Sequence, residues 1–168
     1  MRIVKRQVWA GILCLCLLFG TSCAPRRVSA AELLTELQSE LQELPEGKVY
    51  LCAAEEGSDG FFSPALREVM YGEGTEEIFS LIEDYAIYLS SFATPCEIAV
   101  FCLRSASDAA EVVAMCLARA DALRVLLRET GASDMKDSIR IVSKGKIVLM
   151  GMTNAPDAWE RRAHRLIR

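Results

Sequence analysis

The chain has 168 residues, which is the length of one domain with a hydrophobic core. All 23 acidic residues but only 16 of the 19 basic residues follow residue 22, so that part carries a formal net charge of −7. This acidic balance argues against nucleic acid as a partner, because phosphate binding requires clustered Lys and Arg.

The first 22 residues are organised like a secretory signal peptide. Arg2, Lys5 and Arg6 form a basic start, and residues 8–19 are apolar almost without interruption. Such a run is shorter than the roughly 20 apolar residues that a membrane-spanning helix needs. Its length and flanks match the apolar region of a signal peptide. The sequence therefore predicts export.

Two processing sites compete after the signal peptide. The first is Cys23, which follows Gly-Thr-Ser at residues 20–22. Ser at −1 and a small residue at −2 suit lipid modification, whereas Gly at −3 replaces the usual Leu. A diacylglyceryl group on Cys23 would place two acyl chains in the membrane, enough for stable anchoring. We favour this site, with residues 23–30 as a lipid-anchored linker and 31–168 as the domain.

The alternative site is an ordinary cleavage after Ala30. The segment Val28-Ser29-Ala30 fits the small-residue pattern of such sites. Arg26 and Arg27 would then lie between the apolar run and the cut. This alternative predicts a secreted protein without an anchor.

Four cysteines remain in the predicted domain. Two disulfides among them would allow three connectivities. No pair has C-x-x-C spacing, and each lies in an apolar stretch, so we expect free thiols that behave as small buried hydrophobes. They are Cys52, Cys96, Cys102 and Cys116.

Periodicity and turn signals predict the elements of the domain. The predicted helices cover residues 31–44, 64–71, 75–83 and 107–130, and a last helix opens at 155–157. The predicted strands cover residues 48–54, 84–92, 97–103, 138–143 and 146–152. The last strand is apolar on both faces, which favours an interior position in the sheet. The pattern predicts an α+β two-layer sandwich, with an antiparallel sheet of two hairpins and helices packed on one face.

Several short motifs occur in a characteristic order along this domain. They are Leu-Arg-Glu-Val-Met-Tyr-Gly at 66–72, Asp-Tyr at 84–85, Glu-Ile-Ala-Val-Phe at 97–101, then the long helix and the Gly145 hairpin. Over residues 31–168 this order resembles an uncharacterised "domain of unknown function" family of small lipoproteins from clostridial-type Gram-positive anaerobes. The resemblance implies an envelope lipoprotein and supplies no catalytic residue.

The sequence contains no recognisable catalytic, cofactor or metal motif. His164 is the only His and lies in an Arg-rich helix, where a structural role is expected. Glu55, Glu56 and Asp59 lack the alternating spacing of a calcium loop, so they are interpreted as a solvated acidic loop. We therefore predict no catalytic residue, no cofactor and no metal.

Two groups of residues are candidates for contact with other molecules. Phe61 and Phe62 are adjacent aromatics that could anchor a partner, although one of them is expected in the core. The basic last helix could contact anionic lipid head groups or wall polymers, but stabilisation of a helix C-terminus explains the same charges and is modestly preferred. Its arginines are Arg161, Arg162, Arg165 and Arg168.

Together these features predict a membrane-anchored extracytoplasmic lipoprotein with a non-enzymatic role, binding an envelope protein or a wall polymer. One alternative is a small-ligand-binding lipoprotein, which a deep apolar pocket would favour. A cell-wall hydrolase is a further alternative, but it needs a nucleophile and base that the sequence does not display. An exposed apolar patch around Phe61 and Phe62 would favour the partner-binding interpretation.

Overall fold

The computed structural model describes residues 28–41, 43–91 and 95–168; the predicted signal peptide, Cys23, Arg26 and Arg27 lie outside them. Within these ranges there are five α-helices and five strands, which confirms the α+β class. The helices are α1 (Ala30–Gln38), α2 (Pro64–Tyr71), α3 (Thr75–Ser80), α4 (Ala109–Glu129) and α5 (Pro156–Leu166). The strands are β1 (Gly47–Leu51), β2 (Ile82–Ser90), β3 (Glu97–Leu103), β4 (Ile139–Lys144) and β5 (Ile147–Met152). Short 3-10 helices cover Ala106–Asp108 and Ser133–Ser138.

The five strands form one antiparallel sheet in the order β1-β2-β3-β5-β4. Both predicted hairpins are present, and pairing of β3 with β5 joins them. The interior position predicted for β5 is confirmed, and β1 adds an edge strand beside β2. Gly145 has a φ of 58° in the β4–β5 turn, a backbone conformation that favours glycine.

Helices cover both faces of the sheet, which corrects the predicted two-layer arrangement with helices on one face. Successive residues of a strand point to opposite faces, and in β3 both sets are apolar. Ala99 and Phe101 pack with α2, α3 and α4, whereas Ile98 and Val100 pack with α1 and α5. The sheet therefore lies between two hydrophobic cores, because a strand that is apolar on both sides must be covered on both sides.

Phe62 belongs to the core, which corrects its assignment as a partner contact. Its side chain is 0% exposed. The ring lies 6.3 Å from Tyr71 and 6.0 Å from Phe79, centroid to centroid, within an aromatic cluster that also includes Phe101. Edge-on contacts of this kind stabilise a core beyond the area that they bury. Phe61 is half-buried, so the pair forms no exposed aromatic patch.

Candidate binding cleft at one end of the sheet

A buried carboxylate begins the central strand. Glu97 is the first residue of β3, and its side chain is only 2% exposed. It lies on the same face as Ala99 and Phe101, at the end of an otherwise apolar column. A buried charge is costly unless it is paired and hydrogen-bonded, so the position requires a partner.

Arg119 of α4 is that partner. Its Nη2 donates to Oε2 of Glu97 at 2.7 Å, and its Nε lies 3.2 Å from both carboxylate oxygens. Burial disfavours the charged guanidinium, yet the charge and hydrogen bonds of Glu97 leave the pKa of Arg119 raised above its ordinary value. The two side chains therefore form a forked ion pair, the strongest geometry available to these groups.

Tyr71, the last residue of α2, brings a third element to this pair. Its hydroxyl is buried and interacts with the Glu97 carboxylate, although the geometry is not that of an ordinary hydrogen bond. Burial raises the pKa of Tyr71 well above its ordinary value, and the negative charge of Glu97 adds to the effect. Helix α2, strand β3 and helix α4 thus converge on a buried polar cluster.

A cleft of about 100 Å³ lies over this cluster. Its apolar walls are Met70, Leu89, Leu123, Leu126 and Met152, and the Glu97–Arg119 pair lines it as well. An open cavity of about 370 Å³ adjoins it across Pro95 and Cys96, which line both. The cleft is smaller than a typical small-molecule site of 300–1,000 Å³, so its size suits a single apolar side chain.

The one thiol that lines the cleft is held in its protonated form. Burial raises the pKa of the Cys96 thiol to about 12, and the charge of Glu97 contributes. A thiol that stays protonated near neutral pH is a poor nucleophile. Glu97 is already paired with Arg119, so the cleft presents apolar walls around a fixed ion pair.

The four arginines in and just after α5 do not line this cleft. Arg162 forms ion pairs with Glu36 of α1 and with Glu40 just after that helix, and Arg165 lies 3.4 Å from the same Glu40 carboxylate. These two charges join α5 to α1. Arg161 and Arg168 are exposed, so they are the members of the group that remain candidates for contact with a membrane or polymer.

His164 and the acidic residues of the loop at 55–59 are surface residues outside the cleft. His164 is exposed and lies 4.0 Å from Glu160 one turn earlier. Asp59 pairs with Lys48 at 2.8 Å, and Glu55 and Glu56 are exposed. In residues 28–41, 43–91 and 95–168, no group of three or more His, Cys, Asp or Glu side chains could hold a metal ion.

The four cysteines of the domain are free thiols, as predicted. Cys96 and Cys116 are buried and Cys102 is partly buried, but Cys52 is exposed. The expectation of a buried environment is therefore wrong for Cys52, which directly follows the edge strand β1.

Sequence reasoning missed the functional candidates Glu97 and Arg119. Glu97 is a charged residue at the start of an apolar strand. Arg119 lies three residues after Cys116 and four before Leu123, which places it near the buried face of α4. Each is a local exception to the apolar pattern. Reading the two exceptions together could have suggested the pair.

Comparisons of the chain with protein families, with curated proteins and with solved structures find no match. Within the described part of the chain, no helix is both long and apolar enough to cross a membrane.

Proposed function

We propose that this chain is an extracytoplasmic protein anchored to the membrane through a lipid on Cys23, whose domain binds an envelope protein or a wall polymer without catalysing a reaction. The observation that carries this proposal is that Ser29 and Ala30 are part of the folded domain. This observation bears on the choice between the two processing sites, because cleavage after Ala30 would remove both residues.

Ser29 and Ala30, predicted to lie in the linker, belong to the folded domain. The Ser29 hydroxyl accepts the Glu32 N–H at 3.1 Å, and the Glu32 carboxylate accepts the Ser29 N–H at 3.0 Å, which forms a capping box. Ala30 is 0% exposed, and its N–H donates to Asp84 at 2.8 Å. Cleavage after Ala30 would remove both residues, and loss of the cap alone costs about 1 kcal/mol. This supports Cys23 as the processing site.

The proposed anchor lies close to the domain. Only residues 24–28 separate Cys23 from Ser29. At about 3.5 Å per residue, this segment reaches roughly 20 Å when fully extended. A domain on so short a tether would stay at the membrane surface, where envelope proteins and the inner layers of a wall are within reach.

The cavities support the binding of a macromolecule over a small ligand. The cleft over Glu97 is only about 100 Å³, and the neighbouring cavity of about 370 Å³, although within the size range of small-ligand sites, is open to solvent. Small ligands are usually bound in concave sites that enclose most of their surface. An open apolar cleft instead suits an anchoring side chain of a larger partner.

Intact mass of the protein from the membrane fraction tests the anchor, with wild type beside Cys23→Ala. We expect a mature chain that begins at Cys23, carries a diacylglyceryl group and loses it in the variant. An unmodified chain that begins at Ala31 would contradict the proposal and indicate a secreted protein.

The cleft is tested separately by cross-linking in cells. We expect Leu126→Glu, in the cleft wall, to abolish the cross-linked species that the wild type forms. Val125→Glu is the matched control, because Val125 is 50% exposed on the same helix and does not line the cleft. Equal cross-linking by both variants and the wild type would exclude this cleft as the binding surface.

A further inference from the structure

An open groove of about 530 Å³ lies where the chain enters the fold. Val28 and Ser29 line it, together with Lys146 and Ile147 from the β4–β5 turn and the start of β5. Glu83, Asp84, Cys102 and Leu103 complete the lining, from the start of β2 and the end of β3. The groove is therefore at the end of the sheet opposite to Glu97.

The groove has an acidic side. Asp84 accepts the N–H of Ala30, and Glu83 beside it is exposed. Burial raises the pKa of the Cys102 thiol to about 11, and the charges of Asp84 and Glu83 contribute, so both carboxylates lie near that sulfur. The basic Lys146 also lines the groove, but its ammonium group donates to the carbonyl of Arg104.

The residues that immediately precede the groove have the complementary charge. Arg26 and Arg27 are separated from Ser29 only by Val28, whose side chain is 52% exposed. We infer that residues 24–27 bind in this groove, with Arg26 and Arg27 against Glu83 and Asp84. The inference rests on the proposed function, because these residues remain on the mature chain only when processing occurs at Cys23.

A bound tether fixes the orientation of the domain at the membrane. Strand β3 ends with Leu103 in the groove and begins with Glu97 under the binding cleft. Six steps of about 3.4 Å separate these ends by roughly 20 Å. The groove end of the sheet then faces the membrane, and the cleft faces away from it, toward the wall.

Cysteine cross-linking of the full-length membrane protein tests the bound tether. Pro25→Cys keeps both arginines and adds one thiol to the tether, and copper phenanthroline oxidises it with neighbouring thiols. Cys52 is first replaced by Ser, because its Sγ lies 3.9 Å from the carbonyl oxygen of Glu83 and therefore beside the groove. We expect a disulfide to Cys102 in strong preference to one with a thiol introduced as Val125→Cys, at a position that is 50% exposed on α4 and measures random encounters.

Charge reversal distinguishes a bound tether from one that is merely nearby. In the Pro25→Cys background, Glu83→Arg should slow cross-linking to Cys102 several-fold, and adding Arg26→Glu with Arg27→Glu should restore it. Arg161→Glu with Arg168→Glu is the matched control and should change nothing. A rate that is insensitive to Glu83→Arg would overturn the inference.

The N-terminus of the protein is determined by mass in the same sample. A chain that begins at Ala31 lacks the tether, so the proposed function and this inference fail together. If the chain begins at lipidated Cys23 but cross-linking does not depend on the charges, the proposed anchor stands. Only the inference that the tether binds in the groove is then wrong.

Discussion

At the scale of single residues, the Glu97–Arg119 ion pair is buried, so each charge depends on the other for compensation. Removing one member leaves a buried charge without compensation, which typically costs 3–5 kcal/mol. We expect Arg119→Ala to lower the free energy of unfolding by about that amount, measured by urea denaturation. Arg124→Ala on the same helix should cost at most about 1 kcal/mol, because its pair with Asp121 is solvent-exposed.

The same pair can be replaced as a unit. Glu97→Leu combined with Arg119→Met removes both charges and keeps apolar volume, so the double variant should be more stable than Arg119→Ala alone. If Arg119→Ala costs no more than Arg124→Ala, the buried pair contributes little to the fold. The convergence of α2, β3 and α4 would then rest on apolar packing.

Gly151 in β5 lies directly against the ring of Trp159, the only Trp after residue 22, so a side chain at position 151 has no space. A Cβ at this position would lie 2.4 Å from Cε2 of Trp159, which is 0% exposed. We expect Gly151→Ala to destabilise the protein by about 1–3 kcal/mol, as overpacking does, and to shift the Trp159 emission. Gly60→Ala is the control, because its Cβ would have ordinary contacts of 3.4 Å or more. If Gly151→Ala and Gly60→Ala are equally stable, α5 can shift away from the sheet and make room for the added methyl group without cost.

At the scale of elements, the start of α1 depends on Ser29. We expect Ser29→Ala to reduce the free energy of unfolding by about 1 kcal/mol, because the Glu32 N–H loses its acceptor. Ser80→Ala, at an exposed hydroxyl on the last residue of α3, serves as control and should change stability by less than about 0.5 kcal/mol. A Ser29→Ala protein as stable as the control would remove the main structural argument against cleavage after Ala30.

Elements with local signals could be predicted from the sequence, and their arrangement could not. Pro64 and Gly72 bound α2 where expected, because a proline suits the first helical turn and a glycine the position after the last. Whether helices cover one face of the sheet or both depends on whether one or both faces of β3 are apolar. Its residues 98–101 are apolar on both sides, a pattern that favours cover on both faces.

The cleft over Glu97 and Arg119 is formed by residues that are distant in the sequence. Glu97 and Arg119 are 22 residues apart and come together only when α4 packs on the sheet. Likewise, nothing local distinguishes Phe61 from Phe62: the outward or inward direction of each depends on the aromatic cluster built by α2, α3 and β3. Such choices are made by tertiary packing, which short-range patterns do not encode.

At the scale of the whole molecule, many buried acids hold their protons in the folded state. Their pKa values are all raised, in each case with burial as the leading cause. They are Tyr71, Tyr85, Tyr88, Cys96, Cys102 and Cys116. For the thiols the ordinary value is 9.0, and the folded values reach about 11 for Cys102 and about 12 for Cys96.

This distribution predicts loss of stability in alkali. Above pH 9 the unfolded chain releases thiol protons that the folded protein retains. This ionisation lowers the free energy of the unfolded state relative to the folded state. The stabilisation is fully present below pH 9 and is lost as pH rises toward 11 and 12. We expect the urea midpoint to fall progressively over pH 9–11. Cys116→Ala should show a smaller fall, whereas Ser80→Ala, which removes no ionisable group, should follow the wild type. A fall of equal size in all three proteins would assign the alkaline transition to groups other than the buried thiols.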